Sequence, residues 1–468
     1  MPLQAQIGSL SLIMRDIPMR MIEIARGSSD RARTQRDALL AFSIRVASAG
    51  MLYLTQILLA RWMGSFDYGI YVFVWTWVLV LGGLCDVGLG VTAIRLIPEY
   101  RERGQLALLR GFLLGARLFG FALGSVVAAA GMLALWLYGD ALAHYTVLPL
   151  FLALICIPLF TVADFQDGIG RGQAWMISAL LPPYVLRPLL VLLAMAGAGL
   201  AGFEMSATTA AAAAIAATWS AALVQMAILH VKLRRVLPDG PREYDFKGWL
   251  ITAFPLLVIS FCEILLQNAD VLIISRYLDP AQIGIYFAAA KTMSLIMFVH
   301  YAVGSAVANR YSALNARGDK LALARLVRDA GHWTFWPSLA GAIIILALGK
   351  SLLSLFGVGF TDGYPVMLIL VMGFLVRASI GTAEFLLSML GEQRRCALAL
   401  VIGATLSIVL NFTLTPMFGL LGAATATATA VTVTALLNCW FAWRRLGIAV
   451  GIWSNLSMPA GHNDRSAE

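Results

Sequence analysis

Long apolar runs separated by short, mostly basic polar stretches set the pattern of this chain. The runs lie near residues 38–60, 70–92, 111–138, 146–166, 176–200, 206–230, 249–275, 283–308, 332–356, 363–390, 396–415 and 419–442. Each approaches or exceeds the ~20 helical residues that cross a hydrocarbon core of ~30 Å. The pattern predicts an all-α integral membrane protein of about twelve transmembrane helices. Composition supports this: 60% of the 468 residues are hydrophobic and 13% are charged, about half the charged share of an ordinary soluble domain.

The charges test the span count independently. If the N-terminus is cytoplasmic and the spans alternate, 26 of the 34 Lys and Arg fall on the cytoplasmic side and five lie within spans. Only Arg61, Arg276 and Lys350 face the other side. This is the positive-inside asymmetry, and it places both termini in the cytoplasm. The formal net charge of +9 then reflects topology and contact with anionic membrane lipids, with no nucleic-acid partner expected. In the tail over 1–37, the short apolar stretch 7–14 is followed by Arg15, Asp16 and Arg20, which reads as an amphipathic cytoplasmic tail rather than a cleaved signal. The five cysteines lie in or at the ends of spans, without metal-ligand spacing. They read as small apolar packing residues.

The chain also contains itself twice. Residues 58–71, LLARWMGSFDYGIY, align with 273–286, IISRYLDPAQIGIY, at an offset of 215. The same offset pairs Arg61 with Arg276 and Arg95 with Arg310. At an offset of 220, Gln173 meets Gln393, and the GLAG at 199–202 meets the GLLG at 419–422. Six spans per half is an even number, so both halves enter the membrane in the same sense. That predicts two parallel-repeat six-helix lobes around a central cavity, as in many secondary transporters. The expected boundaries are 38–230 for the first lobe, 231–248 for a cytoplasmic linker, 249–443 for the second lobe and 444–468 for a cytoplasmic tail.

Enzymatic chemistry finds no footing. The sequence has no GxxxxGK[ST] phosphate loop, no long extracytoplasmic loop and no clustered acid and base, so neither a cofactor nor a metal is expected. What stands out is charge inside the spans, where a Lys or Arg costs at least ~2.5–3.5 kcal/mol at the helix centre. Five cations qualify: Arg45, Arg117, Arg187, Lys291 and Arg377. Arg187 and Arg377 are the deepest. Arg187 also sits among Pro182, Pro183 and Pro188, which predicts a broken or kinked helix beside it. These five are the expected substrate contacts, because guanidinium and ammonium groups suit phosphate oxygens. Tyr71, Trp75, Trp77, Tyr184, Tyr286 and Tyr301 are candidates to stack on sugar rings. Among the carboxylates, Glu263, Asp270 and Asp86 are candidates for coupling to a proton or sodium ion. Glu263 and Asp270 are two helical turns apart and share a face, although a structural salt bridge accounts for them equally well.

Residues 58–100, opening LLARWMGSFDYGIY and closing on DVGLGVTAIRLIPEY, resemble the start of the polysaccharide-transporter family. This family belongs to the multidrug/oligosaccharidyl-lipid/polysaccharide exporter superfamily. Residues 270–291, DVLIISRYLDPAQIGIYFAAAK, resemble the matching element of the second half, and the likeness extends over about 38–445. The resemblance implies a flippase of the bacterial inner membrane with a cationic cavity. It would move polyprenyl-pyrophosphate-linked oligosaccharide to the outer leaflet by alternating access, for O-antigen (lipopolysaccharide), capsule or exopolysaccharide assembly. Polysaccharide polymerase or assembly proteins are its implied partners. A cation-coupled multidrug exporter of the same fold and a flippase for the lipid-linked peptidoglycan precursor are the alternatives.

Overall fold

The protein is described by a computed structural model covering residues 30–454, in which the side chains of residues 30–43, 45 and 46 lie outside the description. The expected N-terminal tail falls almost wholly outside it, as does the end of the C-terminal tail. The described residues form helices and no strands, which is how a chain satisfies its backbone in lipid without closing a barrel.

Nine helices among the described residues are long and apolar enough to cross a membrane, and a bent pair, His144–Leu154 with Ile157–Gly172, makes a tenth. Two helices are far too long for one crossing. Helix α1, Asp30–Cys85, has 56 residues and breaks at Gly64 (φ 77°, ψ 174°). The last long helix, Gln393–Leu446, has 54 residues and breaks at Gly419 (φ 57°, ψ −134°). At a rise of ~1.5 Å per residue each would extend ~80 Å if straight. Each is therefore two crossings joined at a glycine, the residue that tolerates positive φ. Read this way, the helices are the twelve spans expected from the apolar runs.

The remaining elements are α2, Leu89–Glu102; α3, Leu106–Tyr138; α4, His144–Leu154; α5, Ile157–Gly172; α6, Met176–Leu181; α7, Arg187–Leu200; and α8, Ala207–Val236. The second half continues with α9, Phe246–Ile274; α10, Pro280–Ser294; α11, Met297–Ala316; α12, Lys320–Ala347; α13, Gly349–Ser354; α14, Tyr364–Ile380; α15, Ala383–Met389; and α16, Gln393–Leu446. Several spans are interrupted. The second breaks between α1 and α2 at Asp86, Val87 and Gly88. The fourth bends by 47° between α4 and α5. The fifth passes through a π-helical turn at Pro182–Leu186, the form taken by the kink expected from its prolines. The tenth breaks at Gly381 (φ 73°, ψ −143°) between α14 and α15.

The halves meet on their own repeat. The largest core cluster draws residues from both, among them Leu59, Tyr68 and Ala214 from the first and Tyr286, Met293 and Ala424 from the second. Gly69 packs on the Pro280 carbonyl, and Gly284 packs on the Ser65 carbonyl. The offset of 215 relates both pairs, so this contact straddles a pseudo-two-fold axis. A Cβ at Gly284 would lie 2.7 Å from the Ser65 oxygen, and one at Gly69 would overlap Pro280. Only glycine lets these backbones approach so closely. Nearby, the Tyr53 hydroxyl is 3.0 Å from the Thr292 hydroxyl.

At the end of the bundle that carries the basic loops, two segments are strapped down. Arg110 donates to the carbonyls of Pro238 (2.8 Å) and Pro241 (3.2 Å), which fastens the linker to α3. Trp249, fully buried, donates from its indole N–H to the Tyr100 hydroxyl at 3.1 Å. The first turns of α9 thus pack into the core of the first half, with Leu89, Phe112 and Phe165. In the second half the chain turns at Gly447 (φ 64°) and folds back. Val450 is buried there, and the Ile452 N–H donates to the Ser379 carbonyl at 3.0 Å. This strap covers the break at Gly381.

Candidate functional site

A cavity of about 480 Å³ opens in the second half, and α9, α10, α11, α14, α15 and α16 all contribute to its wall. The same cavity brings together six of the residues singled out in the sequence: Lys291, Arg377, Glu263, Asp270, Tyr286 and Tyr301. Helix α9 supplies Glu263 and Asp270 two turns apart. Glu263 lies near the middle of that helix and is exposed, as is Gln267 one turn on. A carboxylate exposed at that depth is stable only beside water or polar protein, because lipid solvates neither its charge nor its hydrogen bonds. The cavity supplies that setting.

The two acidic groups of α9 differ. Asp270 is buried and satisfied: its carboxylate accepts from the Tyr286 hydroxyl (2.7 Å), the Thr427 hydroxyl (3.2 Å) and the Val271 N–H (2.8 Å). Glu263 makes no hydrogen bond or ion pair with the described residues. Lys291 reaches over the Phe287 ring, with Nζ 4.8 Å from its centroid.

Arg377 is held rather than free. Its guanidinium donates to both oxygens of Glu384, at 3.0 and 2.8 Å, across the break at Gly381. Glu384 Oε1 also lies 2.9 Å from His300 Nε2. The break makes this possible: α14 ends on Arg377's turn, and α15 brings Glu384 back beside it. Counting formal charge, the cavity carries two cations, Lys291 and Arg377, against three carboxylates, Glu263, Asp270 and Glu384. The wall is therefore mixed in sign, where the sequence suggested a cationic one.

The other expected residues lie elsewhere. Arg187 follows the π-helical turn in the first half, with its guanidinium carbon 5.3 Å from the centroids of both Trp75 and Phe160. Asp164, Tyr184 and Tyr71 are its electrostatic neighbours. Two aromatic faces and a nearby carboxylate replace water around this cation. Asp86 sits at the break in the second span, where both its oxygens accept from the Gly90 N–H at 3.0 and 3.1 Å. It thereby caps the restarted helix. Arg117 has Nε and one Nη buried without a hydrogen-bond partner among the described residues. The side chain of Arg45 lies outside the described residues.

Sequence reasoning missed the Arg377–Glu384–His300 cluster as a unit, and Gln267. Glu384 is seven residues from Arg377, a spacing that gives no hydrogen bond along a straight helix. One signal existed: the offset of 220 maps Asp164 onto Glu384. Each half thus has an acid at the same place in its fourth span, beside an arginine drawn from a different element.

Comparison with known proteins agrees with this architecture. A solved structure described as the lipid II flippase MurJ, in an inward closed conformation, superposes with a TM-score of 0.67 over 86% of this chain and 87% of its own, at 14% identity. An inward-facing multidrug resistance MATE family transporter of the MOP superfamily superposes with a TM-score of 0.63 over 87% and 94%, also at 14% identity. These likenesses show the fold. In sequence, 173 residues are 24% identical to the probable low-salt glycan biosynthesis flippase Agl15 of Haloferax volcanii. That match spans only 37% of each chain. Residues 35–308 match the family described as polysaccharide biosynthesis protein. Over more than half its length, and with the helical transporter fold to match, the chain belongs to this polysaccharide biosynthesis protein family.

Proposed function

We propose that the protein is a flippase that carries a polyprenyl-pyrophosphate-linked oligosaccharide from the inner to the outer leaflet for surface polysaccharide assembly. The observation that carries this reading is the family match over residues 35–308. A polar, partly charged cavity at mid-membrane depth supports it. The basic end of the bundle is cytoplasmic, both termini lie there, and the membrane is the bacterial inner membrane. The glycan head enters the cavity, with Lys291 beside the phosphates and the prenyl tail in lipid. The two six-helix lobes rock about their shared glycine contact to present the head outside. Arg187, Arg377, Arg45 and Arg117 bias the path toward an anionic head.

Direction comes from polymer assembly by partner proteins or from a proton or sodium gradient acting on Glu263, Asp270 or Asp86. The test is made in cells lacking the protein. Complete lipid-linked oligosaccharide should accumulate on the cytoplasmic face while surface polymer disappears. Unchanged lipid-linked sugars in those cells would defeat the proposal. One observation favours a second reading, export of organic cations: the carboxylates of the cavity outnumber its cations. New sensitivity to cationic drugs with unchanged lipid-linked sugars would select it.

A further inference from the structure

The cavity is not uniform along its length. Asp270, Lys291, Tyr286 and Thr427 form the end away from the basic loops. Glu263, Gln267, Tyr301, Arg377, Glu384 and Phe385 form the end toward them. Seven residues of helix, ~10 Å, separate the two ends on α9.

The near end is poorly suited to a phosphate. Arg377 directs its Nη2 at both oxygens of Glu384, so the pair presents little net charge. Glu263 adds a further carboxylate beside that pair, with no ion pair of its own among the described residues, and like charges repel strongly where water is scarce. Yet its polar groups are open. Glu263 offers two acceptor oxygens, and Gln267 one acceptor and two donors, all exposed and one helical turn apart. Four aromatic side chains join the wall here: Phe298, Tyr301, Phe374 and Phe385. Fixed acceptors and an amide beside aromatic faces match a ring that is hydroxylated at its edge and hydrocarbon on its face. Vicinal hydroxyls donate to a carboxylate in charge-assisted bonds, and the ring's C–H face covers an aromatic side chain.

We propose that the end of the cavity formed by Glu263, Gln267, Tyr301 and Phe385 is a sugar subsite, binding an uncharged pyranose ring of the glycan, while the phosphates stay at the Lys291 end. This rests on the flippase reading and specifies which part of the substrate each end holds.

Purified protein in detergent tests it by the melting midpoint, which rises when a ligand binds the folded state alone. The probes are inorganic pyrophosphate, tetraphenylphosphonium, and the oligosaccharides released by mild acid from the lipid-linked pool of the producing cells. The oligosaccharides should raise the wild-type midpoint. Glu263→Gln should weaken that response about tenfold in apparent affinity, the weight of one charge-assisted bond, and Gln267→Leu, independently, about fivefold, the weight of a neutral one. Lys350→Ala, on an exposed lysine outside the cavity, should leave it within about twofold. The two variants act separately, so poor folding of one leaves the other as the test. An oligosaccharide response unchanged in both would overturn the subsite. So would a response to pyrophosphate or tetraphenylphosphonium that Glu263→Gln abolishes. The leaflet assay in null cells is scored apart: accumulation of lipid-linked sugars there, with no oligosaccharide binding to the purified protein, removes the subsite alone, whereas unchanged lipid-linked sugars remove the transport reading itself.

Discussion

Buried arginines in this molecule are stabilised in two different ways, and each makes its own prediction. Arg377 has a carboxylate, and Arg187 has rings. Removing Glu384 strands Arg377, whose side chain is 18% exposed, in a membrane interior. Breaking such a pair costs about 3 kcal/mol or more. Glu384→Ala should therefore lower the melting midpoint sharply, and replacing Arg377 by Met in the same molecule should recover most of the loss. Equal midpoints for the single and double variants would show that the pair contributes nothing. Arg187 faces Trp75 and Phe160, and a desolvated cation over an aromatic face is worth about 2 kcal/mol. Trp75→Leu keeps the volume roughly apolar but removes that face. It should destabilise the protein in the wild type and much less in an Arg187→Met background, read as a double-mutant cycle in melting midpoints.

These residues were only half legible. The cost of charge in a span marks Arg187 and Arg377 in the sequence, and the prolines mark the distorted turn before Arg187. Neither signal names a partner. Glu384 reaches Arg377 through a backbone break, and His300 arrives from a helix 84 residues earlier. Both depend on tertiary geometry. The mixed sign of the cavity was hidden for the same reason: the sequence counts charges per span and does not say which spans share a wall.

Among the elements, the breaks carry more information than the helices. The apolar runs locate all twelve spans because hydrophobic length is a property of the sequence alone. The interruptions at Asp86, Val87 and Gly88, at Gly381 and between α4 and α5 come from packing and were not foreseen. Gly381 adopts φ 73° and ψ −143°, a region essentially reserved for glycine, and a Cβ there would lie 2.8 Å from the Gly331 Cα. Gly381→Ala should cost at least about 1–3 kcal/mol and disturb the Arg377–Glu384 pair, seen as a lower midpoint and reduced export. The strap over 447–454 fixes the same break from outside. Ile452→Pro removes the N–H that binds Ser379 and should cost about 1–3 kcal/mol, whereas Ile452→Ala, which keeps it, should cost less. Equal effects would assign the strap's contribution to the side chain instead.

For the molecule as a whole, the internal repeat was plain in the sequence, but the use made of it was not. An offset of 215 says that Gly69 and Gly284 are equivalent. It does not say that their segments touch. In the structure each packs on the other's neighbourhood, through Ser65 and Pro280, at the end of the bundle opposite the basic loops. A side chain at either position would hold the two helices apart. Gly69→Leu should therefore reach the membrane in normal amount yet fail to export polymer. Wild-type export by this variant would show that close approach there is dispensable for the transport cycle.

That contact also speaks to ancestry. A surface that meets its own equivalent across a two-fold axis is self-complementary, the property that lets identical subunits pair without a second partner. A six-span chain bearing glycine at this position would already have held one whole side of the joint. Gene duplication and fusion would then have added only the linker, freeing each copy to diverge, as Lys291 has from Thr76, its counterpart at the offset of 215. Two separately made halves, divided within that linker, should still find one another in the membrane.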